Sequence, residues 1–116
     1  MAQESNQQYH FSSEQILDQA IAEGKLYGEY LNNETLSSGI YHLKTGTIDP
    51  QQPHQFDEIY YVIAGIATLK MNDMDYPAKA GDILFVPAKV KHQFIEIQED
   101  LTLLVFFSKK EPRGNE

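Results

Sequence analysis

The fold turns on residues 46–65, Gly46-Thr47-Ile48-Asp49-Pro50-Gln51-Gln52-Pro53-His54-Gln55-Phe56-Asp57-Glu58-Ile59-Tyr60-Tyr61-Val62-Ile63-Ala64-Gly65. The stretch changes character half-way. Its first part carries turn formers, Gly46 and the pair Asp49-Pro50. Its second part, from Glu58 to Ala64, is rich in β-branched and aromatic residues and predicts a strand. In an extended chain, even spacing puts His54 and Glu58 on one face, together with Gln52, Phe56, Tyr60 and Val62. Turned inward, that face would bury an imidazole and a carboxylate, which is costly unless they pair or hold a cation. Turned outward, it would simply be hydrated. The pattern alone permits either.

Outward from this stretch the same period-two pattern recurs between turn signals. Strands are expected at residues 26–31, before Asn32-Asn33, and at 39–45. Residues 66–71 continue the central strand up to Asn72-Asp73. Residues 83–86 lie between Gly81-Asp82 and Pro87, and 92–98 and 101–107 complete the set. One helix is expected, over residues 13–23. Ser12 and Gln15 have capping-box spacing, Ile16, Leu17, Ala20 and Ile21 form an apolar stripe, and Gly24 can end it. Many short strands with so little helix predict an all-β sandwich or closed barrel. Parallel βαβ units are excluded because no helices separate the strands.

Composition narrows the function. The chain has 116 residues, the size of one domain. Its 17 acidic and 9 basic residues give a net charge of −8, which argues against nucleic acid and against an anionic membrane surface. Cysteine is absent, so disulfides, thiolate zinc sites and cysteine nucleophiles are ruled out. No run approaches a membrane span, and Met1 to Gln8 has neither a basic start nor an apolar stretch, so a cytoplasmic protein is expected. Residues 1–10 are polar and expected to fray, and the polar tail after Ser108 to be mobile.

Of the four histidines, His10 in the polar leader and His42 within a strand lack convergent partners and read as ordinary structural residues. His92 enters a strand after Gly81 and Pro87. With His54 and Glu58 it makes two imidazoles and one carboxylate. That is the composition of a facial triad for Fe(II), equally acceptable to Mn, Ni, Co or Zn.

These residues resemble the cupin family. Its first motif, G-x5-H-x-H-x3,4-E-x6-G, is met by Gly46, His54, Glu58 and Gly65, with Gln52 in place of the first His. Its second, G-x5-P-x-G-x2-H-x3-N, is met by Gly81, Pro87 and His92, with Lys89 for the Gly and Glu96 for the Asn. Lys accepts positive φ poorly, so a differently shaped turn is expected before His92. The resemblance spans residues 36–107.

It implies a double-stranded β-helix, or jelly-roll barrel, behind a short N-terminal helix. The implied organisation is an N-terminal extension over 1–35, a barrel over 36–108 and a tail over 109–116. The implied cofactor is one divalent transition metal held by His54, Glu58 and His92, with Gln52 as a weak fourth donor. An amide oxygen binds late transition metals less well than imidazole. Tyr60 is a candidate acid or base, because a Tyr at a similar place is a base in some cupin lyases. Phe56, Val62, Phe85 and Phe94 are candidate pocket walls for a small organic ligand. Similar small cupins are commonly homodimers, which makes residues 26–31 a candidate interface strand. The expected function is that of a metal-dependent enzyme, first an oxygenase and next an isomerase or lyase. The alternative is a non-catalytic module that binds or senses a small ligand.

Overall fold

A computed structural model describes residues 7–110. The expected fraying of residues 1–6 and mobility of 111–116 lie outside the described residues. The order of elements is α1 (Ser13–Ala22), β1 (Tyr27–Asn32), β2 (Leu36–Leu43), β3 (Glu58–Met71), β4 (Met74–Lys79), β5 (Ile83–Val86) and β6 (His92–Ser108). The all-β expectation with one short helix holds. No described helix is long and apolar enough to cross a membrane.

The helix begins where the sequence places it. The Ser12 side chain accepts from the Gln15 backbone N–H at 3.3 Å, and Gly24 follows the helix with φ +72. Ala20 is buried, and α1 packs on Gly28 of β1, where a Cβ would come within 3.1 Å of Ala20 and 3.3 Å of Ile16.

The strands form one antiparallel sheet in the order β1-β2-β6-β3-β4, with β5 also paired to β3. Its spine is the ribbon of β3 and β6, which runs from Glu58 opposite Phe107 to Met71 opposite His92. The runs 58–64 and 66–71 join into one strand, and so do 92–98 and 101–107. Both joins fall where the ribbon bends, at register shifts between Val62 and Thr68. Gly65 sits at that bend with φ +102, and a Cβ there would stand 2.3 Å from the Asp100 carbonyl oxygen. Only glycine fits.

The bend changes which parity faces inward. Glu58, Tyr60 and Val62 are buried before it, and Ala67 and Leu69 after it. On β6 the inward residues are His92 and Phe94, then Leu101, Leu103 and Val105. The apolar ones among them make a single core with Tyr41, Leu43, Ala78, Val86 and Ile97.

Strand β4 was not expected. Pro77 counts against a strand, and only Ala78 of β4 is buried, so apolar alternation is missing. At the end of the sheet order, Pro77 needs to donate no ladder hydrogen bond.

Candidate metal centre

Residues 51–57 precede β3 in irregular backbone, so their side chains do not follow strand parity. The segment is tied to the β5–β6 turn. The Lys89 N–H donates to the His54 carbonyl at 2.6 Å, and the Ala88 N–H to the Asp57 carboxylate at 2.9 Å. Lys89 takes φ +69 to do so. The expected change of turn shape is therefore not found: Lys89 adopts the left-handed backbone that a glycine would occupy more cheaply.

These ties bring the first motif against the second. His54 Nε2 stands 3.8 Å and His92 Nε2 3.3 Å from the same oxygen, Glu58 Oε1. The three side chains form a potential three-residue metal site, with donor atoms within 4.8 Å of one another. Two donors bonded to one ion at about 2.1 Å and near-tetrahedral angles stand roughly 3.4 Å apart, which the observed separations bracket.

Hydrogen bonding decides the chemistry of the pair. His92 Nδ1 lies 2.9 Å from the Val90 carbonyl, which can only accept, so Nδ1 carries the proton. In neutral His92 the Nε2 lone pair then faces a carboxylate oxygen, acceptor against acceptor. Glu58 Oε1, Glu58 Oε2 and His92 Nε2 are buried without a hydrogen-bond partner. Something positive resolves this, either a second proton on the ring or a metal ion. The donor set, two imidazoles and a carboxylate, fits a divalent transition metal.

Titration follows the same geometry. Burial opposes a charge on His92, but the Glu58 carboxylate beside its ring, the Val90 carbonyl and the charge of Asp49 outweigh it and raise the pKa above the ordinary imidazole value. For His54, burial dominates and lowers the pKa.

The site opens into a cavity of about 340 Å³ lined by Tyr27, Tyr41, Gln51, His54, Glu58, Tyr60, Val105 and Phe107. The His54 ring packs 5.1 Å from Phe107 and 5.2 Å from His92. Tyr27, paired with Tyr41, reaches in because its ring lies across Gly39 of β2, where a Cβ would stand 2.4 Å from it. A larger open groove of about 890 Å³ between α1 and β1 holds none of the three candidate ligands.

Several expectations need correction. Gln52 is exposed and lines no part of the cavity, whereas its neighbour Gln51 does. None of the four expected wall residues lines it either. Val62 and Phe94 belong to the core, with Phe94 edge-on to Tyr60 at 5.0 Å. Phe85 is 54% exposed, because its neighbour Val86 pairs with inward Glu58 and so takes the inner face. Phe56 is half-buried in the irregular segment.

Tyr60 is fully buried and its hydroxyl donates to Gln51 Oε1 at 2.8 Å. Burial, then the Glu58 charge, raise its pKa well above the usual phenol value. A buried carboxylate, Asp49, escaped the sequence reading altogether, taken there as part of a turn. His42 bonds the Lys25 carbonyl at 2.8 Å, and His10 is exposed, so neither joins the site.

The cupin-domain family model matches residues 39–107, the whole of the ribbon and both site segments. The chain is a cupin. An uncharacterised protein of Streptomyces coelicolor is 36% identical to it over 101 residues, covering 87% of this chain and 96% of that one. Among solved structures, an RmlC-like cupin with a double-stranded β-helix fold from Methanocaldococcus jannaschii superposes with a TM-score of 0.65 at 24% identity, over 71% of this cupin and 77% of that chain. The Clostridium difficile EutQ protein gives a TM-score of 0.61 at 22% identity over 71% of this cupin, which spans 65% of that chain. These likenesses establish the double-stranded β-helix.

Proposed function

We propose that this cupin binds one divalent transition metal through His54, Glu58 and His92 and uses it to act on a small organic molecule in the adjoining cavity. The observation that carries the proposal is the buried, unpartnered carboxylate of Glu58 facing the unpartnered Nε2 of His92. A fold does not leave a charge so placed without compensation.

The metal, when bound, supplies a Lewis acid that polarises an oxygen group of the ligand and stabilises negative charge developing on it. The protein supplies the rest. Glu58 reduces the net charge of the centre. Val90 fixes the tautomer and tilt of His92. Tyr27, Tyr41, Val105 and Phe107 present an apolar wall to the carbon skeleton of the ligand and exclude water from it. Tyr60 holds its proton toward Gln51 and is the hydroxyl placed to give or take one at the cavity. Three protein donors leave further positions open, which suits an oxygenase first and an isomerase or lyase next.

The partner is a second copy of this cupin. Outward-facing Ile59, Tyr61, Ile83 and Phe85 form cross-strand pairs, Ile59 with Phe85 and Tyr61 with Ile83, and expose apolar side chains side by side. The edge strand β1, the expected interface strand, is the other surface available.

Elemental analysis after purification or reconstitution should find about one ion per chain, lost in His92→Ala. Oxygen uptake with candidate substrates then separates the oxygenase from the other classes. A wild-type protein that takes up no ion removes the enzyme and leaves the non-catalytic binding module.

A further inference from the structure

The open side of the centre is governed by residues outside both motif positions. Asp49 is 2% exposed and lies on no strand, yet both its oxygens are engaged. Oδ2 accepts from the Phe94 N–H at 2.9 Å and from Gln51 Nε2 at 2.7 Å. Oδ1 accepts from the Tyr41 hydroxyl and from the Gln51 N–H.

This arrangement fixes the Gln51 amide. Its nitrogen is held by a carboxylate, so its oxygen must point the other way, into the cavity. There a carbonyl has two lone pairs. One accepts the Tyr60 hydroxyl at 2.8 Å, and the same oxygen stands 3.3 Å from His54 Nε2. That spacing matches the one between His92 Nε2 and Glu58 Oε1, as expected for donors to one ion.

We propose that Gln51 supplies the fourth donor to the metal and that Asp49 is the positioning residue that aims it. The inference rests on the metal-centre reading above. An amide oxygen is neutral and harder than imidazole, so it favours oxygen-preferring ions. The hydrogen bond from Tyr60 draws density from the same oxygen and weakens it further as a donor. The result is a position that an incoming ligand can take, while Gln51 stays anchored to Asp49 and Tyr60.

The test is titration of the metal-free full chain with Co(II), read by its visible absorption, with zinc competition for affinity and melting curves in chelator as the folding control. Gln51→Leu should weaken Co(II) binding by about tenfold or more and alter the band pattern. Asp49→Asn offers one acceptor oxygen where two are used, and should weaken binding in the same direction as Gln51→Leu. In a Gln51→Leu background it should add nothing, because it acts through Gln51. An unchanged Co(II) spectrum and affinity in Gln51→Leu would overturn the proposal. So would a full additional loss from Asp49→Asn in the double variant. Should Asp49→Asn not fold, Gln51→Leu decides by itself. Failure of the metal reading itself shows in the wild type, as no cobalt uptake, and takes this inference with it.

Discussion

Glu58→Gln should make the metal-free protein more stable and the metal-supplied protein less stable than wild type. The Glu58 carboxylate is 2% exposed, and neither oxygen has a hydrogen-bond partner. Glutamine keeps the shape and removes the charge. Leaving one buried polar group unsatisfied costs about 1–3 kcal/mol, more for a charged group, so the exchange should return at least about 1 kcal/mol without metal. For a domain of this size, that raises the melting temperature by roughly 4 °C. With a divalent ion at a hundred times its Kd, the wild type should gain about 2.7 kcal/mol by mass action. The variant, lacking its anionic donor, should gain little. The two melting curves should therefore exchange order between chelator and metal. The assay is thermal unfolding of both proteins at pH 8 in each condition. If Glu58→Gln melts below wild type in chelator, the folded protein already satisfies that carboxylate, and the case for a cation at the site fails.

Gly65→Ala should lose at least about 2 kcal/mol in denaturant unfolding, since its Cβ would meet the Asp100 carbonyl at a left-handed backbone position. Lys89→Gly should be more stable by about 0.5–1 kcal/mol in the same assay, because it relieves φ +69 while keeping the N–H bond to His54. The Asp100 carboxylate is stabilised by the Thr45 backbone N–H and then its hydroxyl, which lower the Asp100 pKa. Its contribution is present above the unfolded-state pKa and should vanish as pH falls through the lowered one. NMR titration should find that pKa back near the ordinary value in a Thr45→Pro variant, which removes both donors. In sedimentation, Ile83→Lys should convert a dimer to a monomer, and a monomeric wild type would refute the partner reading.

The three candidate ligands were legible because motif spacing fixes them whatever the backbone does between. The fourth donor was not. Motif spacing puts Gln52 where the family's first His stands, and strand parity puts it on the face of Glu58, but β3 begins at Glu58, and the irregular residues before it present Gln51 instead. The wall residues failed for a related reason. Apolar residue type suggests Phe56, Val62, Phe85 and Phe94, whereas the cavity takes Tyr27, Tyr41 and Phe107 from three strands whose order no local pattern reveals. Asp49-Pro50 looks like any turn, because burial of a carboxylate leaves no mark on its neighbours in sequence. The strands were found almost completely, except β4, whose Pro77 is tolerated only through its place at the end of the sheet.

The register of the central ribbon has a consequence for how the site comes into being. Glu58 lies opposite Phe107 at one end, and His92 lies opposite Met71 at the other. Laid flat, thirteen residues of strand would hold these two side chains roughly 43 Å apart. An ion gripping both is thus a clasp across the two ends of one folded strap, and its grip reports whether the strap has closed.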